Sequence, residues 1–174
     1  MDAVAPDRHR LITWQDPIET AAHARALSGL EFLHRLTSGL IPAAPVAELV
    51  GLRSTYVMPG RVVFEYWPRE EHYNGLGAVD SGILTTVLDA AMAAAIQSLL
   101  AAHLGFATVE LRTSFVRPVT LASGVLRAEG TVVHAGARMS TAEAKLVDAS
   151  GRLHANASST ALVLAHEQKT ALAA

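Results

Sequence analysis

The 174-residue chain contains no cysteine, which excludes disulfides, thiolate metal sites and cysteine nucleophiles. Charged residues are also scarce, at 17% of the chain against 51% hydrophobic residues, and the net charge is −2. This composition excludes a disordered chain and lacks the basic surface that binds nucleic acid or anionic membranes. The histidines show no metal-ligand spacing and the glycines at 75 and 77 follow no strand. We therefore expect no metal and no dinucleotide cofactor.

A secretory signal is absent as well, since the first residues are polar and mixed, and we expect a cytoplasmic protein. The length is that of one domain. The one long apolar stretch, residues 81–102, has the length of a membrane span. It is rich in alanine, contains several polar residues and carries Asp89 in its first half. These features favour a helix in the protein core over a membrane span.

Asp89 is the most informative residue of this stretch. It is the only ionisable residue between Asp80 and His103, and no Lys or Arg lies within one helical turn. A carboxylate in an apolar helix costs several kcal/mol unless it is paired or does chemistry. Asp89 is therefore a candidate catalytic residue. The alternative is a structural acid paired with an arginine distant in the sequence.

The hydrophobic period divides the chain into helices and strands. The segment Asp16-Pro17-Ile18-Glu19 predicts the start of a helix over 16–38, with Ser28-Gly29 as a point of interruption. The apolar helix is predicted to end with Gly105 in the C′ role. Period-two patterns predict six strands, and their hairpin connections predict an antiparallel sheet. The strands are expected at 52–57, 61–67, 108–117, 124–134, 138–147 and 153–164.

An α+β fold follows, because a helix that is apolar on nearly every side needs a strongly curved sheet wrapped around it. A second copy of the chain can cover the remainder of the helix. The expected organisation has four parts. They are a flexible arm (1–15), an N-terminal helical extension (16–51), the sheet-and-helix domain (52–165) and a tail (166–174).

The segment that leads into the long helix, residues 74–82, contains residues suited to binding a ligand. Glycines after Asn74 let a ligand approach the backbone, and the chain then enters the helix at Ser81 and Gly82, whose N–H groups favour a negative oxygen. Asp89 is a candidate base or nucleophile. However, Ser81 and Asp89 are eight residues, or about 12 Å of helix axis, apart. One carbonyl cannot contact both, so the spacing predicts a symmetric dimer with two composite sites.

The strand Thr108-Val-Glu-Leu111-Arg-Thr-Ser-Phe115-Val-Arg117-Pro118 completes the pattern. Together with Asn74, the glycine-rich loop and Asp89, it resembles the hotdog-fold acyl-CoA thioesterases of the PaaI-like, phenylacetate-degradation type. The resemblance covers a little over half of the chain. One departure is clear: Asp80-Ser81-Gly82 stands where the family has His-Gly-Gly.

The resemblance implies a role for each matching residue. Asp89 is the implied general base or nucleophile, and Asn74 the residue that positions the water or thioester. The N–H of Ser81, beside Gly82, is the implied oxyanion donor from the opposite subunit. Thr108 lies next to the position where some relatives place a supporting hydroxyl, or is an ordinary strand residue. Asp80 is an N-cap whose charge opposes a nearby oxyanion.

Two arginines, Arg117 and Arg138, are candidates to bind the phosphates of coenzyme A, or are solvated strand-end residues. The function implied is hydrolysis of an aryl- or medium-chain acyl-CoA, with the coenzyme A thioester as substrate rather than cofactor. A hotdog dehydratase is a weaker alternative, because its histidine position is occupied by Asp80. A non-catalytic acyl-CoA binding protein is the third. We expect a homodimer or a dimer of dimers, in which the helix at 16–38 either caps the acyl tunnel or builds a tetramer.

Overall fold

The computed structural model describes residues 7–165. Within these residues, three α-helices, two β-strands, a fourth α-helix and four β-strands follow one another, with short 3₁₀ turns at Glu70–His72 and Leu121–Ser123. The elements in chain order are α1 (Pro17–Ala26), α2 (Gly29–Thr37), α3 (Pro45–Val50), β1 (Leu52–Met58), β2 (Arg61–Tyr66), α4 (Ser81–Gln97), β3 (Leu104–Phe115), β4 (Leu126–Ala135), β5 (Met139–Val147) and β6 (Leu153–Ala165).

The six strands form one antiparallel sheet in the order β1-β2-β4-β5-β6-β3. The sheet packs around α4, whose side chains Val87, Leu88 and Ala91 have no exposed surface. Gly130 on β4 shows how close the two layers are, because a Cβ there would lie 2.1 Å from the carbonyl oxygen of Ala91. The predicted α+β architecture, a curved sheet around one apolar helix, is confirmed.

Helix α4 is shorter than predicted, because it ends at Gln97 rather than at 102. Ser98 caps it: its hydroxyl donates to the Ala95 carbonyl (2.6 Å) and accepts the N–H of Gly60 (2.7 Å). The prediction that Gly105 terminates the helix is wrong, since Gly105 lies inside β3. No helix within residues 7–165 combines the length and the apolar character needed to cross a membrane.

Residues 16–38 form two helices, α1 and α2, where one was the main expectation. The Ser28 hydroxyl accepts the N–H of Glu31 (3.3 Å) and caps α2. Gly29 presses against the end of α4: its N–H donates to the Leu100 carbonyl (2.9 Å), and a Cβ would lie 1.7 Å from the carbonyl oxygen of Gln97. A continuous helix across this contact is therefore impossible, and the chain breaks at the Ser28-Gly29 interruption.

The structure also describes part of the predicted arm. Residues 7–15 form neither helix nor strand, but Arg10 binds Glu71 (2.6 Å) and the carbonyl of Glu48 (2.6 Å). This contact ties the arm to the loop before α4. The rest of the predicted arm, residues 1–6, and the predicted tail, 166–174, lie outside the described residues.

Candidate active site

Asp89 lies at the middle of α4, half-buried, on the side of the helix that the sheet leaves partly open. The Thr108 hydroxyl on β3 donates to Asp89 Oδ1 at 3.3 Å. Within the described chain, no lysine, arginine or histidine forms an ion pair with Asp89. Burial raises the pKa of Asp89, and the Thr108 hydrogen bond opposes that rise. The result is a carboxylate that binds a proton more readily than an ordinary aspartate.

The N-terminus of α4 is capped by Asp80. Its Oδ1 accepts the N–H of Gly82 at 2.7 Å, and its backbone carbonyl accepts the N–H of Leu84 at 3.3 Å. The N–H of Ser81 has no acceptor among residues 7–165. Of the two N–H groups at the helix start, the Gly82 N–H is thus occupied by the cap and the Ser81 N–H is available to a ligand.

A pocket of about 290 Å³ lies at this helix start, with Asn74 and Ser81 on one side and Phe115, Val116 and Arg117 on the other. It brings together three of the candidate residues, Asn74, Ser81 and Arg117. Since Asp80 is exposed at the adjacent cap, a negative charge stands close to the place where an oxyanion would bind.

Asn74 shapes the loop that leads into α4. Its side-chain oxygen accepts the N–H groups of Leu76 (2.8 Å) and Ala78 (3.4 Å), an Asx-type turn. Its backbone N–H donates to the Ala78 carbonyl at 2.7 Å. Its amide NH₂ has no acceptor in the part of the chain that the structure describes, so this group is the one that remains to orient a water or a carbonyl.

The two candidate phosphate-binding arginines are placed differently. Arg117 donates to the carbonyl of Leu153 at 2.5 Å while it lines the pocket at the helix start. Arg138 is exposed in the turn between β4 and β5, and its backbone carbonyl accepts the N–H of Val163 at 2.9 Å. Arg138 does not line the pocket at the helix start.

A buried pair that the sequence did not indicate holds the loop beneath this pocket. The Tyr66 hydroxyl and His72 Nδ1 are hydrogen-bonded at 2.9 Å, and the two rings stack with centroids 5.7 Å apart. Burial lowers the pKa of His72 and raises that of Tyr66. The His72 carbonyl accepts the N–H of Asp80 at 2.8 Å, so the pair positions the cap of α4. No spacing rule connects two residues across such a loop, which is why sequence reasoning missed them.

The curved sheet around α4 is the hotdog fold. Residues 76–155, which include Ser81, Asp89 and Thr108, match the family model named Thioesterase superfamily. The resemblance predicted from the sequence is thereby confirmed. No functionally curated protein matches the chain.

Solved structures with this fold cover most of the chain. AziG of S. sahachiroi is 28% identical, with 70% of this chain and 98% of that one covered and a TM-score of 0.68. A putative thioesterase from Ralstonia eutropha, described as a phenylacetic acid degradation-related protein, is 26% identical, with 74% and 97% covered and a TM-score of 0.68. The PaaI protein of the E. coli phenylacetic acid degradation operon shares the fold at 19% identity, with 81% and 98% covered and a TM-score of 0.69.

Proposed function

We propose that the protein is an acyl-CoA thioesterase that hydrolyses aryl- or medium-chain acyl-CoA to the free acid and coenzyme A. The observation that carries this proposal is Asp89, a half-buried carboxylate without a cationic partner in the described chain, hydrogen-bonded only to Thr108. Such a group is a suitable general base, since its pKa is raised toward the working pH. The free Ser81 N–H supplies the complementary donor.

Strand β3 connects the two halves of the proposed site. Its Thr108 end contacts Asp89, and its Phe115 end lies in the pocket with Ser81. β3 is also an edge of the sheet, and it exposes Val109 (59%), Leu111 (36%) and Phe115 (46%). An uncovered apolar edge strand is a site for pairing with another chain. We therefore infer a homodimer in which two β3 strands pair.

Twofold symmetry limits the register of such a pair. If two copies of β3 pair antiparallel about a twofold axis at Leu111, so that Leu111 stands opposite its own copy, the Thr108 part of one strand lies near the Phe115 end of the other. The Ser81 pocket of the second copy then lies beside Asp89 of the first. This pairing removes the roughly 12 Å separation of the two groups within one helix.

The chemistry that these groups support is a water attack. Asp89 accepts a proton from water while the water oxygen bonds to the thioester carbonyl carbon, and the carbonyl oxygen accepts the Ser81 N–H of the second copy. The tetrahedral intermediate collapses, the C–S bond breaks, and the thiolate takes the proton. The same carboxylate can instead attack the carbonyl carbon directly and expel the coenzyme A thiolate, which leaves a mixed anhydride; water then cleaves the anhydride, regenerates the carboxylate and supplies the proton that the thiolate takes. In either route, the proposed role of the Asn74 amide is to orient the water or the thioester.

Release of free thiol from a panel of aryl- and medium-chain acyl-CoAs tests the proposal directly. We expect turnover by the wild type and loss of that turnover in Asp89→Ala. If no member of the panel is hydrolysed faster by the wild type than by Asp89→Ala, the protein is not an acyl-CoA thioesterase.

The two-chain site has its own test, because Ser81→Pro deletes the donor N–H while proline is favoured at the first position of a helix. Asp80 is already extended (φ −61, ψ 139), as a residue before proline requires. Unfolded and co-refolded Asp89→Asn and Ser81→Pro chains should regain about a quarter of wild-type activity, since half of the dimers are mixed and each mixed dimer has one intact site. No recovery means that the site lies within one chain. Ser81→Ala, which retains the N–H, is the control.

One observation favours a second candidate, a non-catalytic acyl-CoA binding protein. The exposed Asp80 carboxylate at the helix start opposes a developing oxyanion. Asp80→Asn keeps a good N-cap and removes the charge, so a thioesterase should become faster, by roughly twofold to tenfold. If calorimetry shows that the wild type and Asp80→Asn both bind acyl-CoA and neither hydrolyses it, the binding protein is the correct function.

A further inference from the structure

The largest cavity described, about 640 Å³, lies between the N-terminal extension and α4. From α2 it is lined by Phe32, Leu33 and Leu36, and from α4 by Ala90, Ala93 and Ala94. Its volume falls within the range of small-molecule sites, roughly 300–1,000 Å³. Because the alanine side chains on α4 are short, space remains open between α4 and α2.

The cavity begins on the same side of α4 as Asp89. Thr86 and Ala93, which both line it, stand three residues before and four residues after Asp89. Residues at these spacings are neighbours on a helix surface, with Cβ atoms about 5–6 Å apart. Along α4 the lining runs from Thr86 to Gln97, over about 16 Å of helix axis, and Asp89 stands beside this row of residues rather than in it.

The lining divides into an apolar interior and a charged rim. Phe32 and Leu33 are 6% and 3% exposed. The charged lining residues Glu48 and Arg53 are exposed, and Arg69 is half-buried. An apolar body with a few polar groups at its opening is the usual build of a site for a mostly apolar ligand.

We propose that this cavity is the acyl chamber of the enzyme and that the N-terminal extension is its outer wall. The proposal rests on the thioesterase function proposed above and adds the element that sets acyl size. With the thioester at Asp89, an acyl group enters past Ala93 and lies against α2. The extension precedes residue 76, where the match to the thioesterase superfamily begins, so acyl selection depends on a part of the chain outside that match.

Narrowing the chamber tests this assignment. We expect Ala93→Phe to lower the ratio of kcat/KM for octanoyl-CoA to that for acetyl-CoA by about tenfold or more, since methylene-scale changes in an apolar pocket discriminate by about 10- to 200-fold. Leu36→Ala, which enlarges the chamber from the extension side, should raise the ratio for dodecanoyl-CoA over octanoyl-CoA. Ala149→Phe, an exposed position in the β5–β6 turn, is the size-matched control and should leave both ratios unchanged.

The ratio of kcat/KM values between substrates tests the chamber assignment even when a variant loses overall activity. If the ratio of kcat/KM for octanoyl-CoA to that for acetyl-CoA is the same in Ala93→Phe and in the wild type, the assignment of this cavity as the acyl chamber is wrong. If the wild type hydrolyses no acyl-CoA, the thioesterase proposal fails and calorimetry with octanoyl-CoA tests the chamber separately. Binding that weakens about tenfold or more in Ala93→Phe, and not in Ala149→Phe, supports it. Absent binding, or equal binding in all three proteins, overturns it.

Discussion

Two aspartates of this protein, the buried Asp148 and the half-buried Asp89, have opposite surroundings. Asp148, in the turn between β5 and β6, is 5% exposed and accepts hydrogen bonds from Ser150, Arg152 and His154. These bonds, the Ser150 hydroxyl first, hold its pKa well below the usual range despite burial. Asp89 on α4 has one hydrogen bond, from Thr108, and burial raises its pKa.

The difference distinguishes a structural carboxylate from the proposed base. Asp148 is saturated with donors, so its charge is stabilised in the folded state and has no capacity left for a substrate. Asp89 retains unused acceptor positions in a partly apolar environment, which favours proton uptake. The first residue maintains a turn, and the surroundings of the second suit the proposed role.

The largest effect should come from Asp89→Asn. The substitution removes the base while it preserves shape, so we expect kcat for acyl-CoA hydrolysis to fall by about 10²- to 10⁴-fold. The free energy of unfolding near neutral pH should be equal to or higher than that of the wild type, because a desolvated charge is removed. Thiol release and urea denaturation measure the two quantities.

The sign of the pH dependence sharpens this prediction. The pKa of Asp89 is raised in the folded state, so ionisation disfavours folding as the pH rises through that pKa. Any stability gained by Asp89→Asn should therefore be present near neutral pH and shrink toward pH ~3, where Asp89 is protonated in both the folded and the unfolded wild type. If Asp89→Asn is clearly less stable than the wild type at neutral pH, Asp89 is a structural residue like Asp148.

Asp148→Asn should have the opposite phenotype. It removes acceptor capacity from Arg152 and His154, so we expect Tm near neutral pH to fall by several degrees, with kcat nearly unchanged for the folded enzyme. The pKa of Asp148 is depressed in the folded state. Its stabilisation is therefore present above the pKa of the unfolded state, about 3.9, and is lost as the pH falls further.

The difference in Tm between Asp148→Asn and the wild type should accordingly narrow in acid. Calorimetric melting over a range of pH values measures it. Glu143→Gln, which removes a carboxylate from an exposed position on β5, is the control for the change in net charge. A loss of activity as large as that of Asp89→Asn, without loss of stability, would contradict the structural assignment.

The sequence alone was sufficient to predict the sheet and the apolar helix, and it made Asp89 the first candidate for the site. Alternating strands and an uninterrupted apolar helix are local patterns, and each leaves a clear trace in the chain. The sequence marks Ser28-Gly29 as a point of interruption, but the end of α4 at Gln97 depends on a contact between the two segments, where the Gly29 N–H meets the Leu100 carbonyl. Local periodicity contains no information about such contacts.

The same limit applies to the candidate site. The eight-residue spacing of Ser81 and Asp89 predicts a two-chain arrangement from the sequence alone, because helix geometry is the same in every protein. The His72–Tyr66 pair that supports the cap of α4 could not be predicted from the sequence, since it depends on the path of the loop between β2 and α4. The many donors to Asp148 depend in the same way on the closing of the β5–β6 turn.

The smallest effect should come from Thr108→Val, which keeps the β-branched shape on β3 and deletes the one hydroxyl that contacts Asp89. That hydrogen bond lowers the pKa of Asp89 against the effect of burial, so its removal should shift the acid limb of the kcat/KM profile to higher pH. The rate on the plateau should fall by less than about tenfold, the worth of one ordinary hydrogen bond. Thr108→Ser, which retains the hydroxyl, should restore the position of the limb. If the acid limb does not move in Thr108→Val, or if the residual activity of Asp89→Asn shows the same limb, another group titrates and Asp89 is not the base.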